Sequence, residues 1–384
     1  MMKSGTPRDL RTLNEGAVLA ALFEHGPLTR PEIEQITGLS KPAAARLLLR
    51  VEEAGVIVRD GERASRSGPP AQIWRVNPRA ALVAGITVTA ERLVVEVCDL
   101  DGRLIGDASA QNPVRSSDEI APALRALIES ALEGADADIA QLRDVTIGLP
   151  GVIDPLGGVL VHSVRLPAWV DIDVIGALGA ALPGVAVYTA NDVGLVLIAE
   201  AEHGAARDVA SVALIWVGSG IKAGYLRDGE LMVGPHGLAG EIGRVIVPSF
   251  GAAPDASAER GRAVPGGGVL LEQLLRPQAL AALGDDVDAI ADRFVVVVSS
   301  VTALLDPELV VIAGSLSDRH GPTLAQAVQD RLGFLPHERP DIRCGALGAR
   351  AQIRGAVCLS RRSARARLVD AGSNADVVLP VSAR

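Results

Sequence analysis

Apolar residues in the first eighty positions recur at helical spacing and then in short strand-like runs. Val18, Leu19, Leu22 and Phe23 share one face of a helix predicted from Asn14 to His25, which stops before Gly26-Pro27. Thr29-Arg30-Pro31-Glu32 has the spacing of a capping box with proline in the first turn, and Ile33 and Ile36 give the next helix its apolar side. Gly38 ends it, being able to take positive φ. Ser40 is a good N-cap for a third helix, through Lys41-Pro42 to Glu53, which Gly55 stops. Val56-Ile57-Val58 and Ile73-Trp74-Arg75-Val76 read as strands, and Gly61 through Pro70 is the loop between them. Other three-helix units share part of this pattern. Four caps, two strands and an arginine-bearing loop in this order favour a winged helix-turn-helix over residues 1–78.

Beyond Leu82 the pattern changes to strand, glycine turn and helix in alternation, as in an α/β domain. Leu82–Val88 and Leu93–Val97 form an opening hairpin. Val145–Leu149 runs into Pro150-Gly151, Val185–Tyr188 leads to Asn191-Asp192, Val212–Val217 ends in Gly218-Ser219-Gly220, and Leu309–Ile312 ends in Ala313-Gly314-Ser315. Acid, amide and small residues thus collect at strand C-termini, where α/β sheets place their ligands. The segment from Arg361 to Arg384 has little periodicity and reads as a tail.

Charge sharpens the division. The net charge of −9 separates into 12 Lys+Arg against 9 Asp+Glu up to Ala80, and 25 against 37 beyond it. A basic module on an acidic body is expected when one end alone meets nucleic acid. The helix opened by Ser40 would then be the recognition helix, with Ser40 and Lys41 at its N-terminus suited to a phosphate. Arg46 and Arg50 are long enough to reach guanine edges or phosphates. Ala43, Ala44 and Ala45 offer small apolar contacts. Arg63 and Arg66 in the loop would suit the adjacent minor groove. Three scattered cysteines, Cys98, Cys344 and Cys358, exclude a disulfide framework and a cysteine-rich zinc site. No apolar run of membrane-spanning length and no signal-peptide pattern is visible, so a cytoplasmic protein is expected.

Leu149-Pro150-Gly151, Ala190-Asn191-Asp192, Gly218-Ser219-Gly220-Ile221, Asp306-Pro307-Glu308 and above all Gly234-Pro235-His236-Gly237-Leu238-Ala239-Gly240-Glu241-Ile242-Gly243-Arg244 resemble the ROK family of sugar kinases and repressors. The resemblance covers about Leu10 to Ser360. It implies an actin/hexokinase-like, two-lobed domain over residues 81–360 and a tail at 361–384. It also implies that Gly151, Asn191, Asp192, Glu241 and Glu272 match positions holding sugar hydroxyls, with Asp192 the general base of the kinases.

The departures bear on activity. Family kinases have an Asp, two Gly and a Thr in the opening hairpin, for the ATP phosphates. This chain has Thr87, Thr89, Ala90 and Glu91, which fill the phosphate approach and add like charge. Lys222 stands where a glycine is usual. The family's zinc-binding His is Arg244 here, and Pro254 through Gly268 holds no cysteine, so no zinc and no other cofactor is expected. The family threonine after the Pro-Gly turn is Val164, preceded by Ser163. With a guanidinium at Arg244, an acidic sugar or sugar phosphate becomes a possible ligand, and Lys222 could help to hold it. The alternative, which ranks behind ligand binding, is that Asn191-Asp192 cap the next helix, with Glu241 held by Arg244.

The expectation is a homodimeric or homotetrameric regulator, a repressor rather than an enzyme, that binds double-stranded operator DNA and a sugar-like effector. A sugar kinase with an added DNA-binding module, and a regulator switched by a protein partner, are the alternatives.

Overall fold

The computed structural model describes residues 7–64, 69–218, 220–247, 268–334 and 339–370. The first module contains α1 (Pro7–His25), β1 (Leu28–Thr29), α2 (Arg30–Thr37), α3 (Lys41–Glu53), β2 (Ile57–Arg63) and β3 (Ala71–Val76). Its sheet has the order β1-β3-β2. Val18, Leu22, Ile33, Leu48, Ile57 and Trp74 form its core. The caps lie where the side-chain chemistry puts them. The Glu32 carboxylate accepts from both the Thr29 N–H (2.7 Å) and its hydroxyl (2.8 Å). Gly38 and Gly55 take φ of +72° and +73°. Ser40 occupies the N-cap position of α3, although its hydroxyl makes no capping bond. Gly61, Glu62 and Arg63, expected in a loop, continue β2.

The first lobe holds β4 (Leu82–Val88), β5 (Arg92–Asp99), β6 (Leu104–Gln111), α4 (Ile120–Leu132), β7 (Leu142–Leu149), β8 (Val152–Ile153), β9 (Leu160–His162), α5 (Val174–Ala181), β10 (Ala186–Asn191) and α6 (Asp192–His203). Its main sheet runs β10-β7-β4-β5-β6. β4 pairs antiparallel with β5 and parallel with β7, so a hairpin edge is joined to a crossover half.

The second lobe repeats the scheme with β11 (Ser211–Val217), β12 (Ile221–Arg227), β13 (Glu230–Leu231), β14 (Ile246–Val247), β15 (Val269–Leu270), α7 (Leu271–Leu275), α8 (Pro277–Ala281), α9 (Val287–Leu305), β16 (Leu309–Gly314), α10 (Ser315–Arg331) and β17 (Asp341–Cys344). Its sheet order is β13-β12-β11-β16-β17. Each sheet buries an aliphatic face against its own helices, giving two separate cores. Loops at the strand ends of both lobes face one cleft.

A final helix, α11 (Ala351–Asp370), corrects the reading of a tail from residue 361. Ser363 is fully buried, and Arg361 and Ala364 nearly so. The helix lies across β4 and β7 and beside α6. Its periodicity is weak because it is covered on several sides, and small residues let it approach closely. A side chain at Gly355 would strike the Leu195 carbonyl of α6. Polar residues in this interface are matched. Ser360 donates to the Ala84 carbonyl (2.8 Å), Ser363 Oγ lies 2.5 Å from Asp144 Oδ1, and Arg361 pairs with Glu202 at 3.3 Å. Further along, Leu368 and Val369 join the core of the first module, and the Arg365 guanidinium stacks 5.2 Å from the Phe23 ring. At its start Ala351 joins a cluster with Leu214 and Val311 of the second lobe, so one helix touches both lobes and the first module.

Candidate functional site

The cleft between the lobes has a volume of about 520 Å³ and is lined from both sides. Gly151, Asp192, Glu241, Arg244 and Glu272 all face it, though they come from four separate segments, with Glu241 and Arg244 sharing one turn. Gly151 has φ +148°, and a Cβ there would collide with the His162 carbonyl. Only glycine fits this turn. Asn191 serves the same turn from behind. Its Nδ2 donates to the Gly151 carbonyl (2.5 Å), while its Oδ1 accepts from the Val193 N–H (2.9 Å) and caps α6. It positions the cleft wall and is not among the cleft-lining residues.

Asp192 opens α6 with its carboxylate in the cleft. Lys222 Nζ lies 3.3 Å from Asp192 Oδ1 and 3.4 Å from Glu241 Oε1, so one ammonium bridges two carboxylates. This corrects two expectations: Lys222 serves the acidic side of the cleft, and it is Lys222 rather than Arg244 that holds Glu241. Burial pushes the Asp192 carboxyl above the usual carboxylate range, Lys222 opposes that shift, and Glu241 adds to it. Arg244 instead reaches across the cleft, with Nη2 3.5 Å from His162 Nε2. Glu272 lies against Gly243.

At the other end, Val88, Thr89 and Ala90 line the cleft; Glu91 does not, so the like charge expected from it is absent from the lining. The Thr89 N–H donates to the Arg92 carbonyl (2.9 Å) and its hydroxyl accepts from the Arg92 N–H (2.9 Å), which closes the turn on itself. His162, Arg165, Trp216 and Gln352 also line the cleft and were not read from the sequence. They carry no motif: His162 ends a three-residue strand, and Gln352 opens the helix whose second half was read as a tail.

In the first module, Ser40, Lys41 and Arg46 are exposed on α3 and Ala45 is half-buried. Arg46 Nε donates back to the Pro42 carbonyl at 3.2 Å, leaving its terminal nitrogens outward. Ala44 is fully buried and cannot contact a partner. Arg50 is paired with Glu15 at 2.5 Å and ties α3 to α1. Arg63 is paired with Glu32 at 2.5 Å. Arg66 lies outside the described residues, as do the segment 248–267, which contains most of the cysteine-free loop, and the loop residues 65–68.

Among the described residues one group could offer three metal ligands, Glu202, His203 and Cys358. Arg361 and Arg362 already engage Glu202, and burial pushes the Cys358 thiol up to about 12, so the thiolate a metal needs is disfavoured. No helix among the described residues is long and apolar enough to cross a membrane.

Two lobes closing on a cleft lined by carboxylates at strand ends define the sugar-kinase-like, actin/hexokinase class of fold. A ROK hexokinase from Thermus thermophilus superposes on 74% of this chain and 99% of its own with a TM-score of 0.61 at 23% identity. A ROK family transcriptional regulator, described as a homologue of the Escherichia coli MLC protein, superposes on 95% of this chain and 99% of its own, with a TM-score of 0.71 at 20% identity. Residues 83–261 match the ROK family. In sequence it is 23% identical over 244 residues to the DNA-binding transcriptional dual regulator NagC of Escherichia coli K12. That match covers 63% of this chain and 59% of NagC, so the chain spans about three fifths of that relative's length.

Proposed function

We propose that the chain is a cytoplasmic, sugar-responsive transcription repressor that acts as a homodimer or larger homo-oligomer on operator DNA. The observation that carries this reading is the cleft itself. It gathers Gly151, Asp192, Glu241 and Glu272 at one place, while the turn at Thr89 spends its backbone N–H on Arg92 rather than presenting it to a nucleotide phosphate. Such a cleft can hold a polyol but is poorly shaped to position ATP. In the first module, α2 and α3 form the helix-turn-helix, α3 is the recognition helix and the β2–β3 connection is the wing. Ser40, Lys41, Ala45 and Arg46 would face DNA, with Arg50, Arg63 and Arg66 in supporting places. The likeness to a DNA-binding relative named as a transcriptional regulator supports the assignment.

The test is binding of the full chain to genomic fragments. An enriched duplex site is expected, with affinity falling steeply with salt if ~4–8 phosphates are neutralised per dimer. Arg46→Ala should weaken that binding by about 1–3 kcal/mol if the side chain reads a base. A genome-wide screen with no enriched site would remove the DNA reading.

The hexokinase-like fold favours one competitor, a sugar kinase with an added module. A coupled assay with hexoses and ATP should show no turnover. Sugar-dependent ADP release abolished by Asp192→Asn would establish the kinase instead.

A further inference from the structure

We infer that the cleft's ligand is a disaccharide, with one unit at the carboxylates and a second, neutral unit over Trp216 and Gln352; this rests on the effector reading above and deepens it. The first unit is held at one end. Lys222 bridges Asp192 and Glu241, and a carboxylate offers about four acceptor sites, so both acids keep lone pairs for sugar hydroxyls. One hexose leaves much of the cleft unfilled. Clefts of about 300–1,000 Å³ bury drug-sized molecules, which are far larger than a hexose, and this one has about 520 Å³.

The remaining space adjoins the first subsite. Trp216 is the cross-strand partner of Lys222 in the β11–β12 pair, so the two side chains stand side by side on one face of the sheet. Of the three tryptophans, Trp74 and Trp169 are buried in cores, whereas Trp216 is half-buried and lines the cleft. Trp216 and Ala351, the first residue of α11, line one small crevice, and the next residue, Gln352, lines the cleft itself. A Cβ at Gly148 would lie 3.4 Å from Gln352 Nε2, and Gly148 pairs with Thr87, two residues before the Thr89-Ala90 turn. Trp216, Gln352, Thr89 and Ala90 therefore share one end of the cleft.

None of these four is ionisable in the working range of pH, so a phosphate would meet no charge from them. An indole presents a flat apolar face with one N–H, which suits the C–H face of a pyranose and a hydroxyl at its rim. A glutamine amide both donates and accepts, as a sugar hydroxyl does. Among the described residues neither Trp216 Nε1 nor the Gln352 amide has a hydrogen-bond partner, whereas the amides of Asn112, Asn191 and Gln329 are spent on backbone groups. A second sugar would satisfy both the ring and the amide. An apolar substituent would cover the ring and leave the amide unmatched.

The experiment is calorimetric titration of the full chain with glucose, galactose, mannose and xylose and with disaccharides built on them: maltose, cellobiose, lactose, mannobiose and xylobiose. Phenyl β-glucoside serves as the apolar comparison. At least one disaccharide should bind about ten-fold or more tightly than its constituent monosaccharides. Gln352→Ala should narrow that ratio, and the half-buried site on a helix accepts alanine readily. Trp216→Leu should do the same; where it fails to fold, Gln352→Ala decides alone. Asp192→Asn should weaken every sugar that binds. Disaccharides binding no more tightly than their monosaccharides, or a ratio that Gln352→Ala leaves unmoved, would overturn the second subsite and leave the effector reading standing. Phenyl β-glucoside binding as tightly as the best disaccharide would also overturn it, because the second unit need not then be a sugar. If none of these sugars binds, the sugar-effector reading falls together with the proposal.

Discussion

Gly355→Ala is expected to lower stability by about 2–3 kcal/mol, the upper part of the range for overpacking. Two effects oppose each other. Alanine is the better helix former by about 1 kcal/mol, which on an exposed helix would decide the matter. Here the new Cβ would land on the backbone of α6, against the carbonyl oxygen, carbonyl carbon and Cα of Leu195. Backbone atoms cannot rotate away as a side chain would, so α11 and α6 must separate. Neighbouring contacts then loosen, including Ser360 with Thr146 (2.7 Å) and Arg361 with Glu202. Urea unfolding of parent and variant measures the difference. A variant as stable as the parent would mean that α11 does not sit this close.

The second large effect belongs to Asp144. Its carboxylate is fully buried under α11, and burial pushes its pKa from 3.8 up to about 6, against the pull of Ser363 and Arg367. Ser363 Oγ also lies 2.7 Å from the Tyr188 hydroxyl. The folded chain keeps this proton up to about pH 6, whereas the unfolded chain releases it near pH 4. Stability from this group is therefore fully present below about pH 4 and falls as pH rises toward 6. A shift of about 2 units corresponds to roughly 2–3 kcal/mol. Asp144→Asn removes the charge but keeps an acceptor for Ser363. The difference in stability between variant and parent should be small near pH 4 and grow in the variant's favour toward pH 7. Thermal melts across that range read it directly; a difference that does not change with pH would rule the account out.

Much of the framework is written in local chemistry. Gly38 and Gly55, the Thr29–Glu32 cap, and the Val/Ile/Leu runs of β4, β7, β11 and β16 all fall where the sequence places them. Asp192 was legible as an acid at a strand end of an α/β sheet, whereas Glu241 and Glu272 were legible only through the resemblance to the ROK family. What stayed hidden depends on contacts between distant segments. Ala44 and Arg46 look alike as candidates for a DNA face, but only packing against α1 and the sheet decides that Ala44 turns inward. Arg50 and Arg63 read as free cations until Glu15 and Glu32 are brought beside them. Arg165 and His162 carry no periodicity that points to a site, since β9 is only three residues long. The α11 segment hides best of all. Its glycine, alanines, serines and arginines resemble a solvated tail, yet they allow close helix contact and give buried carboxylates their partners.

The position of α11 along the chain also orders events on the ribosome. The first module is synthesised before any of its seat, because Leu368 and Val369 follow both lobes in the sequence. About 275 residues separate Val76 from Ala351. At about 5–20 residues per second, that is roughly 15–55 s of translation. Throughout this interval the nascent module can fold around its own Val18–Trp74 core and meet the first lobe through Phe23, Val76 and Arg75, but it lacks the α11 part of its seat. The same late helix covers the central strand β4 of the first lobe, so that sheet also waits, with a buried face still open to solvent and to chaperones. Docking of the first module and closure of the first lobe thus become a single late step, and a chain that stalls before residue 351 completes neither.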